Sequence, residues 1–193
     1  MHLLTTSALA FLIATAAQAE MANYQLDPEH TTVYFTVDHI GYAKTLGLFT
    51  NISGEFMYDA ETQELGEVNV SIDAASIESF NAARDGHVRG SDFLDVDNHP
   101  AIAFTATGGK AASATNGTVT GDLTILGQTR PVTLEVTLNK AAPYPFGHKR
   151  DVLGLSMSTE IQRKDFGMTY AVENGLVGDT VAIAIETEAM KVE

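Results

Sequence analysis

Cysteine is absent from this chain. Its absence excludes disulfides, thiolate nucleophiles and cysteine-ligated metal sites together, and leaves stability to packing and hydrogen bonds. It also excludes a diacylglyceryl anchor on a cysteine after a signal segment. The compartment stays open on this point, because an oxidising space permits disulfides without requiring them. Basic residues are scarce, with 11 Lys and Arg against 25 Asp and Glu and a formal net charge of −14. Such a surface repels polyanions, and no long Lys/Arg run offers a local exception, so no nucleic-acid partner is expected. Long apolar runs are missing beyond the N-terminus, where a helical bilayer span takes about 20 residues.

Residues Leu3 to Ala17 are apolar or small, and Ala17-Gln18-Ala19 has the small-x-small pattern of a secretory cleavage site. The Lys or Arg that usually precedes such a run is missing, leaving only the amino terminus and His2. Thr5, Thr6, Ser7 and Thr15 dilute the stretch below what a membrane anchor needs. The expectation is a signal peptide at residues 1–19, cleaved after Ala19, and one exported domain over 20–193 without stable membrane insertion. That length suffices for a single domain with a sizeable core.

The mature part alternates apolar and polar residues, the period of half-buried strands. After a short leader, Asp27-Pro28-Glu29-His30 reads as a turn. Val33, Phe35 and Val37 set a first strand whose phase puts His39 on the apolar side. Gly41 to Gly47 reads as a glycine-punctuated loop. Further strands follow at Ile52–Tyr58, Val68–Ile72, Ile102–Ala106, Val119–Ile125, Val132–Leu138, Leu153–Ile161 and Val181–Ile185. Gly108-Gly109 and Asn116-Gly117 bracket a polar tip, and a turn around Leu126-Gly127 makes the clearest hairpin. Eight strands with one apolar side each, joined by short turns, suggest an all-β fold: an eight-stranded antiparallel barrel with a short helical insert. A flattened sandwich with a solid core fits the pattern equally well. A barrel of this size is either filled by side chains or holds one small ligand.

The stretch from Asn81 to Pro100 departs from the alternation. Arg84, His87 and Val88 fall on one helix face, with Asn81 as N-cap and Gly90 as stop. Asp85 and Arg89 are spaced to pair. Phe93-Leu94 is apolar enough to fold back onto a core. The segment reads as a lid or plug across one end of a closed sheet.

Several motifs carry a resemblance. They are Tyr24-x-Leu26-Asp27 with His30, Val33-x-Phe35-x-Val37-x-His39, and Gly54-x-Phe56 before Asp59. More specific is Asn81-x-x-Arg84-Asp85-x-His87-Val88-Arg89 with Asp92-Phe93 and His99-Pro100-x-Ile102-x-Phe104. Gly121-x-Leu123-Thr124, Gly127-x-Thr129-x-Pro131-Val132 and Ile161-x-Arg163-x-Asp165-Phe166-Gly167 complete the set. On these residues the chain resembles the YceI-like family of bacterial polyisoprenoid-binding proteins over most of 24–190. The resemblance implies a lipocalin-like barrel exported to the periplasm. Its lumen would take an isoprenoid or other long-chain amphipathic lipid, such as a quinone or polyprenyl phosphate, with no cofactor and no enzymatic activity. Gly86 and Gly90 depart from the family pattern and cost roughly 1 kcal/mol each in helix propensity relative to alanine, which implies a looser lid.

The tail-binding candidates are Phe35, Val37, Ile52, Phe56, Val70, Ile72, Phe104, Leu123, Leu134, Val136, Leu155, Met157 and Ile183. The candidates for a head group or lid are His39, Arg84, Asp85, His87, Arg89, Asp92 and Arg163, since two arginines and a histidine suit phosphate or quinone oxygens. Their bland roles are a helix ion pair for Asp85 with Arg89 and a loop brace for Arg163 with Asp165. The −14 background favours a neutral head group. Other classes stay open: a solid-cored exported scaffold or stress-related interaction protein, an enzyme using His87 or His39 with Asp85 or Asp92, and a metal site drawn from His30, His39, His87, His99 or His148. No local spacing supports the metal site, and none is expected. Oligomeric state is also open, a homodimer being one alternative.

Overall fold

The computed structural model describes residues 20–192; the expected signal peptide lies outside the described residues. Strands β1 (Ala22–Leu26), β2 (Thr32–His39), β3 (Ala43–Phe49), β4 (Ile52–Tyr58), β5 (Leu65–Asp73) and β6 (Ile77–Glu78) precede the insert with helix α1 (Ala82–Arg89). Strands β7 (Ala101–Ala106), β8 (Lys110–Ala111), β9 (Asn116–Ile125), β10 (Gln128–Pro143), β11 (Asp151–Gln162) and β12 (Val177–Lys191) follow. No helix among the described residues is long and apolar enough to cross a membrane.

The pairings are antiparallel and run β1-β4-β5-β7-β9-β10-β11-β12. Because β1 also pairs with β12, through Tyr24 opposite Lys191 and Leu26 opposite Ala189, the eight strands close into a barrel. The remaining long strands prolong this ring rather than starting another layer. Along the edge of β12, β1 occupies Ala189–Lys191 and β2 occupies Val177–Glu186, so the two form one interrupted stave. In the same way β3 runs into β4, and β6 follows β5 and pairs with β3.

Three expectations are corrected. The leader contains β1, whose five residues are too few to register as a pattern although Tyr24 and Leu26 both face the core. Gly41 to Gly47 is not a loop, because β3 begins at Ala43. Gly47 sits inside that strand beneath the Phe35 ring, where an added Cβ would lie 2.5 Å from Phe35 Cζ. The glycine thus marks a close ring-on-backbone approach, a role that resembles a breaker in sequence. Asn116-Gly117 likewise belongs to β9, not to the tip.

The outer face is polar as the alternation requires. Thr120 meets Thr133, and Thr124 meets Thr129, each at 2.8 Å across β9 and β10. Between β1 and β4, the Tyr24 and Phe56 rings stack at 5.6 Å, with Tyr58 edge-on at 6.3 Å.

The insert is held by side chains tied to backbone. Asn81 Oδ1 accepts from the Arg84 N–H at 3.0 Å and caps α1. Arg89 donates to the carbonyls of Ala75 at 2.8 Å and Ile77 at 2.6 Å. The Asp85 carboxylate is buried and accepts from both the N–H and the hydroxyl of Ser79. The expected Asp85–Arg89 ion pair is therefore not made. Helical spacing brings the two within reach, but each finds fixed partners on the β5–β6 stave. Hydrogen bonds from Ser79 hold the Asp85 carboxyl below its ordinary pKa.

Tyr24→Ala removes the aromatic that bridges the closing strands, and about 3–5 kcal/mol is the expected loss for a buried aromatic. Thermal unfolding checks this, with a fall on the order of 10 °C for a domain of this size. For Asp85, a depressed folded pKa contributes stability above the unfolded value of about 3.9 and loses it as pH falls through the folded value. Hydrogen exchange in α1 is therefore expected to accelerate below about pH 4, and Asp85→Asn should remove that acid dependence.

Candidate functional site

The inward phase of the staves encloses a cavity of about 620 Å³. It extends from the β2–β3 hairpin, α1 and the Met168–Val177 segment at one end to Gln63 and the Gly109–Thr118 region at the other. Every apolar position singled out in the sequence lies on its wall, from Phe35 and Val37 through Leu134, Val136 and Met157 to Ile183. Phe35, Val37, Leu134, Val136, Leu155, Met157 and Ile183 face inward yet remain only half-buried. Side chains that point into a filled core would be sealed. The lumen is hollow, which excludes the solid-cored sandwich.

The same strand phases add Val119, Val132, Leu153, Ile161 and Val181 to the wall. Other wall residues had no phase to reveal them. Leu26, Leu46 and Phe49 come from β1 and β3, both missed in sequence, and Met168, Tyr170 and Leu176 from the irregular segment before β12. Val88, Phe93 and Leu94 come from the insert, which closes one end of the cavity. Leu94 is 7% exposed and fastens the insert to the core.

The polar candidates divide. His39, Arg84, His87 and Arg163 line the cavity, whereas Asp85, Arg89 and Asp92 do not. Asp85 and Arg89 anchor α1 as described. Asp92 lies 3.0 Å from His87 Nε2. The His87 ring meets Phe93 at 5.1 Å and Tyr170 at 5.3 Å, both edge-on, and Phe93 meets Tyr170 at 5.3 Å. This aromatic cluster joins the insert to the segment before β12. Arg84 donates through Nε to Ser79 Oγ at 2.8 Å and through Nη2 to Ser79 O, and its Nη1 makes no hydrogen bond among the described residues.

Arg163 is 2% exposed. Its guanidinium donates to the carbonyls of Gly178 at 2.7 Å, Met168 at 3.0 Å, Tyr170 at 2.8 Å and Val177 at 2.9 Å, with the Phe93 ring 5.7 Å away. Burial pushes its pKa down from the ordinary value. The expected brace with Asp165 is not formed; the neighbouring ion pair joins Lys164 to Asp179 at 2.9 Å. Four carbonyl acceptors make Arg163 the clasp of the segment that closes the lid end. Sequence spacing gave no sign of this, because carbonyl acceptors leave no residue signature.

Of the histidines weighed for a metal, His30 alone belongs to a cluster of three metal-capable side chains among the described residues. Its Nδ1 is 2.7 Å from Asp27 Oδ2 and 4.0 Å from Glu188 Oε2, outside the cavity wall. The hydrogen bond to Asp27 raises the His30 pKa. The cluster thus reads as a proton-sharing brace where β12 exchanges β2 for β1 as its neighbour.

The chain matches a family model, the YceI-like domain, over residues 24–189. It is 34% identical over 186 residues to a UPF0312 protein of Pseudomonas putida, a match covering 95% of this chain and 94% of that one. The crystal structure of the Campylobacter jejuni YCEI protein is similar, with TM-score 0.74 and 26% identity over 81% of this chain and 90% of the other. A polyisoprenoid binding domain from Saccharophagus degradans shares the fold at TM-score 0.65 and 16% identity, covering 88% of this chain and 98% of that domain. With a hollow barrel, a capped end and these matches together, the chain belongs to the YceI-like family.

Proposed function

We propose that this protein is an exported lipid carrier of the periplasm that holds an isoprenoid chain in the barrel lumen and acts by binding rather than catalysis. The hollow apolar cavity is the observation that carries the reading. Its volume falls within the roughly 300–1,000 Å³ of small-molecule sites. At roughly 30 Å³ per carbon, close to the share of one water in the liquid, it takes on the order of 20 carbons, or about four isoprene units. Family membership and the polyisoprenoid binding domain among the similar folds support an isoprenoid over a straight acyl chain.

Along its length the wall is mainly apolar; His39, Arg84, His87 and Arg163 line it at the lid end, and Gln63, Lys110 and Ser113 to Thr118 line the far end, where Lys110 is the one cation among the described residues. The head group is assigned to the lid end, with Arg84 Nη1 and His87 offered to quinone or phosphate oxygens. The net charge of −14 favours a neutral quinone-like head, since a dianion meets long-range repulsion. Burying one isoprene unit from water is worth on the order of 4 kcal/mol, so tail contacts alone suffice for tight binding from water.

Native mass spectrometry of the exported protein, purified without detergent, should show an apolar ligand at near one per chain. A clean apo mass that stays unchanged after incubation with quinones and polyprenyl phosphates would overturn the reading. Among quinones of increasing tail length, affinity is expected to rise to about four isoprene units and then level off. Leu134→Glu places a charge on the wall and should abolish binding while circular dichroism shows an intact fold; full binding by that folded variant would place the ligand elsewhere.

A further inference from the structure

Exposed apolar side chains gather at the lid end of the barrel. Ile40 and Tyr42 stand at the β2–β3 tip, Leu46 follows on β3, and Tyr170 and Leu176 belong to the segment before β12; they are from 41% to 88% exposed. Backbone contacts bring these pieces together. The Ile40 N–H donates to Leu176 O at 3.2 Å, Val177 pairs with His39, and Arg163 Nη2 holds the carbonyls of both Tyr170 and Val177. All but Tyr42 also line the cavity. Ile40, Leu46, Tyr170 and Leu176 therefore carry the apolar wall from the lumen onto the surface, beside Asp38, His39 and Thr45.

Ile40 carries a second observation. Residues His39 to Tyr42 form a β-turn, closed by the Tyr42 N–H on His39 O at 3.1 Å, with φ of 57° at Ile40 and 71° at Gly41, inside a three-residue loop that sets His39 opposite Ala43. Such turns favour Asn-Gly or Gly-Gly, and a β-branched residue at positive φ is a genuine outlier. Leu126-Gly127 has the same backbone, with φ of 52° and 69°, but Leu126 packs against the core. Ile40 is 44% exposed. An apolar side chain is thus kept where backbone and solvent both disfavour it, which points to a surface that covers it in use.

We infer that this rim docks on a zwitterionic lipid bilayer surface, so that an isoprenoid tail passes between membrane and lumen without crossing water. The inference rests on the carrier reading. Charge selects the kind of surface. At the rim Asp38 lies in register opposite Lys44 and Lys164 pairs with Asp179, while the exposed Glu173 between Tyr170 and Leu176 leaves the rim slightly acidic. The rest of a chain of −14 is repelled by an anionic surface but not by a zwitterionic one. Attraction then comes from burial of the apolar rim, with Tyr42 and Tyr170 suited to the interface between head groups and acyl chains.

The test is flotation of the mature protein on phosphatidylcholine vesicles. The wild type should float, and Tyr42→Asp should weaken flotation by about tenfold or more, the loss expected when one aromatic side chain no longer leaves water. Tyr42 is 88% exposed and outside the cavity wall, so uptake of a four-isoprene quinone delivered from ethanol should match the wild type, while extraction from vesicles slows. Ile40→Asn should raise the melting temperature and yet weaken flotation, a combination that a merely structural role does not produce. Flotation of Tyr42→Asp at the wild-type level overturns the inference. So does a wild type that fails to float but sediments as a dimer that Tyr42→Asp dissociates, which assigns the rim to a second copy. A wild type that floats yet takes up no quinone from ethanol supports the docking surface and defeats the carrier reading alone.

Discussion

Closure of the hydrogen-bonded ring is the constraint on which the rest depends. β1 is five residues long, but it pairs on one side with β4 and on the other with β12. With that bridge each of the eight ring strands has two neighbours, while β3 keeps an open edge from Ala43 to Gly47. An eight-stranded ring also has a fixed girth set by strand number and tilt. Such a ring is either filled by side chains or left with room for one ligand. Here the inward Val, Leu and Met side chains stop short of filling it, and the same alternation that would fill a sandwich lines a hollow.

The ring is not uniform along its axis. Three neighbouring staves are interrupted side by side: between β1 and β2 at residues 27–31, between β3 and β4 at Thr50 and Asn51, and between β5 and β6 at Ala74–Ser76. Each break is repaired locally. The Asp27 N–H donates to Glu188 O and the Glu188 N–H to His30 O, while Thr31 meets Thr187 at 2.7 Å. The Thr50 and Asn51 N–H groups donate to Ser76 Oγ at 3.3 and 3.2 Å. Because the breaks are adjacent they form a bend line. Below it the ring closes through β1, and above it β12, β2 and β3 stand as a lip with the insert facing them. The lip that faces the insert thus comes from a single row of irregularities.

Much of this was legible because closed antiparallel sheets write their two faces into alternate residues. Val119 to Leu138 shows it plainly, and the inward phase of each recognised strand is the cavity wall. The α1 segment was legible for a different reason, since Asn81 and Gly90 cap it by local chemistry. What stayed hidden was held by backbone or by tertiary partners. Gly47 looks like a breaker until Phe35 is seen above it. Arg163 looks like a surface residue beside Asp165, yet four carbonyls bury it. Asp85 and Arg89 have the spacing of a helix pair and are used separately, because Ser79, Ala75 and Ile77 are presented rigidly and another mobile side chain is not.

The energetics of a lipid carrier separate binding from exchange. A tail moving from water into the lumen gains about 0.8 kcal/mol per carbon, whereas one leaving a bilayer is already out of water and gains little. The apolar wall therefore sets how much chain is held and does little to decide whether it leaves the membrane. On the proposed reading, preference at equilibrium falls to the lid end, where Arg84 and His87 are offered to the head group. Speed falls to whatever lets the tail avoid water, the part proposed for the rim. The lid must also move for exchange, and its stability is tertiary: Gly86 lowers the helix propensity of α1, while Asp85 on Ser79 and Arg89 on Ala75 and Ile77 hold it. Opening α1 breaks these hydrogen bonds and the His87–Tyr170 contact but no strand pairing of the ring, so the proposed exchange needs no unfolding of the barrel.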